Sequence, residues 1–200
     1  ANGGTVTITN AGLLDIAPGA DLNLDGAFLQ DGAGSVQTAG DITTTGDNIT
    51  FQQAVTLTDT HPVVWSTGAG TGGTIALNST LDGTTDFAED LTLTAGSGNV
   101  DFDGLVGGTT DLGNVLIVSA LDVTADFAVS ADTLTQSAGT GDTQFDGAVT
   151  LDGAGGLDLT TNTVTLNSTI DTATAANGGT VTITNAGLLD IAPGADLNLD

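Results

Sequence analysis

The chain has no lysine, no arginine and no cysteine, and a single histidine among its 200 residues. Each absence removes a class of function. Without a guanidinium or an ammonium group there is no cationic clamp for phosphate and no basic face to release counterions from nucleic acid. Lysine Schiff bases, lysine general bases and lysine cross-links are excluded as well. Without cysteine there is no disulfide, no thiolate nucleophile and no thiolate-held zinc or iron–sulfur cluster. One histidine cannot build a multi-histidine metal site. The chain is therefore read as a non-enzyme. No apolar run approaches the roughly 20 residues of a membrane helix, so no membrane insertion of this segment is expected. It begins Ala-Asn-Gly-Gly, with neither an initiator Met nor a signal peptide, so its destination is read indirectly.

What is present is acidic and apolar at once. The formal charge is −25 and aromatic residues make up 4%, which by themselves are a signature of disorder. However, hydrophobic residues make up 39% of the chain and its mean hydropathy is +0.22. The acidic residues are nearly all Asp, spaced singly between runs of Thr, Val, Leu and Ile. Thr, Val and Ile favour strands, so the chain is expected to be folded and β-rich.

Residues 1–25, ANGGTVTITNAGLLDIAPGADLNLD, recur without a change at residues 176–200, an offset of 175. Residues 1–175 are thus read as one full long repeat and 176–200 as the start of the next, a window on a longer array. A shorter repeat lies inside the unit. Its template is a large apolar residue, then Asp, Asn or Gln, two further residues and an apolar one. Copies start at Leu24, Leu77, Phe102, Phe145 and Leu166, with a looser one at Phe51. Successive intervals from Leu24 through Phe51 and Leu77 to Phe102 are 27, 26 and 25 residues. The 43 residues from Phe102 to Phe145 fit two turns with a degenerate copy near Leu121, and 21 more lead to Leu166. Gly83–Leu93 also aligns with Gly108–Val118, and TIALNSTLDG at Thr74 with TVTLNSTIDT at Thr163.

Alternating runs such as Thr5-Val6-Thr7-Ile8-Thr9 and Asp90-Leu91-Thr92-Leu93-Thr94 send Val, Ile and Leu to one face and Thr or Asp to the other. Asp-Gly and Asn-Gly steps break the runs and turn the chain tightly. A period of 20–27 residues with two or three short strands per turn describes an all-β fold, a parallel β-solenoid. Seven or eight turns fill the unit and advance about 35 Å at the spacing of stacked strands.

The recurring Asp or Asn after the apolar residue has two readings. One is a corner column of stacked side chains bonding backbone at each bend. The other is a calcium column, with Asp103, Asp146 and Asp158 as candidate ligands for Ca2+. Only Gly153-Ala-Gly-Gly-Leu-Asp158 approaches the GGxGxD nonapeptide of calcium β-rolls, and it lacks the second Gly. Loose screening by divalent cations is expected in either case, because a rod without basic residues attracts them.

The phrases GDNITFQQAVTLTD, LTLTAGSGNVDFDGLVGGTTDLGNVLIVSA and LTQSAGTGDTQFDGAVTL resemble the β-strand repeats of giant bacterial surface proteins. These are the filamentous-haemagglutinin-like and autotransporter-type adhesins. The resemblance implies a right-handed β-helix, export to the cell surface, and a role in attachment or matrix. The expected function is thus structural: an extracellular fibre, thread or adhesin shaft whose partners are further copies, joined end to end and bundled laterally.

Two other classes remain open. An ice- or carbohydrate-binding solenoid would use Thr-x-Thr pairs such as Thr5/Thr7/Thr9, Thr92/Thr94 and Thr163/Thr165. A polysaccharide-cleaving enzyme would use paired carboxylates such as Asp101 and Asp103, although any Asp-x-Asp on a solvated strand face has that spacing. His61-Pro62 and Trp65 are expected in a loop leaving the coil, with Trp65 covering an exposed part of the core or stacking on a sugar. Asn48, Asn78 and Asn167 match the glycosylation pattern, as chance allows in so Thr-rich a chain.

Overall fold

A computed structural model describes residues 3–172 and 178–199. Every strand pairing in it is parallel, and each turn of the coil lays down three short strands on three faces. The first face is a sheet of nine strands running from Val6–Ile8 through Phe28–Gln30, Ile49–Phe51, Ile75–Leu77, Val100–Phe102, Val123–Ala125, Asp142–Phe145 and Thr163–Leu166 to Leu189–Ile191. The second face begins with Leu14–Ile16, Val36–Thr38, Val55–Leu57 and Leu81–Asp82. It continues through a bridge at Val106 and residues 129–131 to Val149–Leu151, Ile170–Asp171 and Leu197–Asn198. The third face carries Leu22–Asn23, Ile42–Thr43, Val63–Ser66, Leu91–Thr94, Leu112–Ser119, residues 134–136, Leu157–Thr161 and Val181–Asn185. The strand Val129–Gln136 runs round one corner and joins the second and third faces. This is the parallel β-solenoid anticipated from the repeat. The boundary between the two long repeats, at residues 175 and 176, lies outside the described residues.

Turns span from 19 residues, where Val36 pairs with Val55, to 28, where Val63 pairs with Leu91. The degenerate copy expected near Leu121 is Ala125-Asp126, in register with Phe102 below and Phe145 above. Two sequence alignments are corrected by the register. Leu24 follows a third-face strand and its N–H bonds Thr43 O, whereas Phe51 stacks on Gln30. The 27-residue interval therefore runs from one corner to a different one. Apolar–Asp–Gly steps recur at more than one corner because every corner needs the same tight turn. The alignment of Gly83–Leu93 with Gly108–Val118 sets Leu91 beside Leu116, but Leu91 pairs with Val115. A slip by one residue reverses inside and outside. With the observed pairing Val115 and Ile117 enter the core and Val118 remains exposed, and an irregularity between Leu93 and Thr94 absorbs the difference.

Inward positions fill one continuous core. Phe28 and Phe51 stack with ring centroids 5.2 Å apart, and Phe51 meets Trp65 at 4.8 Å. Trp65 is fully buried within the strand Val63–Ser66, so it does not belong to a loop leaving the coil; Thr60, His61 and Pro62 before it are exposed. Its place in the alternation Val63-Val64-Trp65-Ser66, with Val63 and Trp65 both inward, decides the matter. Among the polar atoms in the core, Trp65 Nε1 and Gln136 Nε2 have no hydrogen-bond partner, whereas those of Gln30 are met. Gln30 is fully buried; its Nε2 donates to Asn10 Oδ1, Gly32 O and Gly34 O, while its Oε1 accepts from the N–H groups of Gln52 and Gln53. Corners stack backbone on backbone. A Cβ at Gly72 would stand 1.7 Å from Ala95 O, which only glycine avoids.

Candidate functional site: an acidic corner column

The residue after each first-face strand stands at a corner, directly above its counterpart one turn below. Successive turns place there Thr9, Asp31, Gln52, Asn78, Asp103, Asp126, Asp146, Asn167 and, ending the polar run, Ala192. This is the recurrent Asp/Asn of the sequence template. Its chemistry differs from the expected backbone bonding, because the side chains bond one another up the column. Thr9 Oγ1 donates to Asp31 Oδ1 at 2.6 Å, Asn78 Nδ2 to Gln52 Oε1 at 2.9 Å, and Asn167 Nδ2 to Asp146 Oδ1 at 2.6 Å. Gln144 Nε2 also donates to both oxygens of Asp146, at 2.9 and 3.1 Å.

The middle of the column is all carboxylate. Asp103, Asp126 and Asp146 are exposed and follow one another on successive turns, and Asp101 lies beside them on the outward side of its strand. Burial pushes the Asp101 carboxyl above its ordinary value, and the charges of Asp103, Asp122 and Asp126 add to the effect. Asp103 is also raised, by desolvation and then by Asp126. Burial is the larger cause of both shifts, and repulsion between like charges adds to it in a chain without lysine or arginine. At the other end of the scale, the exposed His61 places Nδ1 3.2 Å from Asp59 Oδ1 and holds that carboxyl below its ordinary value.

Backbone bonding by Asp and Asn does occur, at positions outside the sequence template. Asp or Asn just before a strand accepts an N–H from the next turn. Asn48 Oδ1 takes Thr74 N at 2.9 Å, Asp41 Oδ1 takes Val64 N at 2.8 Å, and Asp90 Oδ1 takes Asn114 N at 2.6 Å. Asp122 Oδ1 takes Asp142 N at 2.8 Å. The signal was an Asp or Asn directly before an alternating run. The single Glu, Glu89, is buried and accepts from Thr84 Oγ1 and Thr85 N, closing its own corner loop.

The proposed calcium ligands are not brought together. Asp103 and Asp146 share the column with Asp126 between them, while Asp158 is exposed on the third face between Thr135 and Thr182. Among the described residues no three acidic or histidine side chains are grouped to hold a metal ion. Gly153 to Asp158 forms a tight turn in which Gly156 N–H bonds Gly153 O, followed by a strand start. Beside the column lies a shallow open cleft of about 290 Å³, lined by Asn78, Ser79, Thr80, Asp103, Gly104, Leu105 and Phe127.

Comparison with protein-family models, curated proteins and solved structures returns no match. What the column does must therefore be argued from its own chemistry. It presents carboxylates and amides that follow one another on successive turns. Outward mid-strand positions on the first face read Thr7, Leu29, Thr50, Ala76, Asp101, Thr124, Gln144, Thr165 and Asp190. Thr is thus intermittent on this face, as in the sequence. Among the described residues no helix is long and apolar enough to cross a membrane.

Proposed function

We propose that this chain is a structural segment, the shaft of an extracellular fibre or of a giant surface adhesin. One observation carries the reading. The second copy of the repeat stacks directly on the first unit, in parallel register at Leu157 with Val181, Val164 with Leu189 and Ile170 with Leu197. Units joined in this way make one continuous rod without a hinge between separate domains, and a rod serves as spacer or thread. Export to the cell surface fits the resemblance to secreted adhesin repeats and the absence of cysteine, which leaves hydrogen-bond ladders and packing as the source of strength. Divalent cations would screen the acidic columns and bridge neighbouring rods without a dedicated site. The reading assigns no catalytic role to Asp101 or Asp103.

Electron microscopy of the native protein tests the proposal. A continuous filament with ~4.8 Å turn spacing and an axial unit repeat of roughly 37 Å is expected. Separate globular particles, or beads on flexible linkers, would overturn it.

Carbohydrate binding is a second reading, favoured by the exposed Phe127 beside Asn78 and Asp103 in the cleft. An apolar ring next to amide and carboxylate groups suits a neutral sugar face. Glycan binding that disappears in Phe127→Ala would support it; equal binding by both proteins would remove the cleft from consideration.

A further inference from the structure

The two identical 25-residue segments do not occupy the same faces. Val6–Ile8 lies on the first face against Phe28–Gln30, while its counterpart in Val181–Asn185 lies on the third against Leu157–Thr161. Leu14–Ile16 is on the second face and Leu189–Ile191 on the first. Leu22–Asn23 is on the third and Leu197–Asn198 on the second.

The cause is a count of strands. Between Val6 and Val181 the chain lays down seven full turns of three segments and two segments of the eighth, 23 in all, and 23 is not a multiple of three. Each 175-residue unit therefore spans seven and two-thirds turns. One sequence tolerates both positions because every face asks for the same apolar–polar–apolar triplet. Val6, Ile8, Val181 and Ile183 all pack against the core despite the change of face. The side of each residue is a local property, fixed by alternation. The face is set by where the preceding strand ended.

We infer that successive units of a tandem array are rotated about the rod axis by one face, and that three units restore the starting phase. The carboxylate column of Asp103, Asp126 and Asp146, confined to one corner within a unit, then recurs at a different corner in each of the next two. A rod so built presents acidic patches in three directions, staggered along its length, and offers lateral neighbours no single sticky side. That consequence for bundling rests on the fibre reading; the rotation itself does not.

Disulfide trapping in this cysteine-free chain tests the rotation. Thr165 pairs in register with Asp190 on the first face, and Asp158 with Thr182 on the third. Neighbouring strands at ~4.8 Å lie within the Cα separation a disulfide spans. Thr165→Cys with Asp190→Cys, and Asp158→Cys with Thr182→Cys, should each oxidise to a cross-linked product. Thr165→Cys with Thr182→Cys, the pair that meets if the copy returns to its original face, should not. Spin labels on the same cysteine pairs give an independent reading, with dipolar broadening for the first two and none for the third. A cross-link between positions 165 and 182, or no proximity in any pair while the far-ultraviolet spectrum stays β-type, would overturn the inference. A result that traps the expected pairs in a protein that forms no filaments would remove the fibre reading and leave the rotation standing.

Discussion

Asn78 donates from Nδ2 to Gln52 Oε1 at 2.9 Å, tying two turns together at the same corner where, one turn higher, Asp103 faces Asp126. The column thus passes from amide pairing to carboxylate repulsion within a single step. Converting Asp103 to Asn supplies an amide donor and removes one charge. We expect Asp103→Asn to raise the melting temperature at neutral pH by about 1–3 °C, a modest gain because the site is solvent-screened. Calorimetry of the two proteins at low ionic strength checks it; an unchanged or lower value would show that the repulsion carries no weight.

Asp101 gives a pH signature. Its carboxyl titrates above the ordinary value of 3.8, chiefly through burial and then through Asp103, Asp122 and Asp126. The folded state therefore holds that proton more tightly than the unfolded chain. The resulting stability is fully present below the ordinary value and is lost as pH rises through the raised one. Relative to wild type, Asp101→Asn should lose less stability across that interval and be the more stable protein at neutral pH. Parallel curves for the two proteins would contradict this.

Phe28, Phe51 and Trp65 form an aromatic stack in the core. Removing Phe51, wedged between Phe28 and Trp65, leaves a cavity that stacked neighbours cannot close. Phe51→Ala should cost about 3–5 kcal/mol, measurable by urea titration. Trp65, the only tryptophan, should give blue-shifted, poorly quenched fluorescence in the wild type. Emission typical of water would place it outside the core.

Gln30 satisfies five polar groups while fully buried. Gln30→Leu keeps the volume but takes this partner from Gly32 O, Gly34 O and Gln53 N–H, while Gln52 N–H keeps its bond to Gln30 O, so a loss of about 3 kcal/mol is expected. A near-neutral effect would mean water replaces the side chain.

Calcium should act by screening. Titration calorimetry of Ca2+ is expected to show no saturable site of fixed stoichiometry, and Mg2+ should raise the melting temperature about as much as Ca2+ does. A tight site lost on substituting Asp103 or Asp146 would restore the calcium column.

Strands, corners, turn length and overall architecture were legible in the sequence because each rests on local chemistry. Alternation chooses the buried side, and Gly and Asp choose the bends, within a few residues. The corner column was visible too, as the residue after each large apolar one. What it bonds was not, since Asn167 and Asp146 are neighbours only through stacking. Likewise, nothing local distinguishes Leu91 facing Val115 from Leu91 facing Leu116; the length of the loop between them decides. Trp65 read as a loop residue because His61 and Pro62 precede it, and it is buried by alternation with Val63. The identical segments at 1–25 and 176–200 make the division plainest. Sequence alone determined which of their residues point inward. Only the tertiary structure decided which face they occupy, because face is a running total of every strand laid down before, and no stretch of residues carries that total within itself.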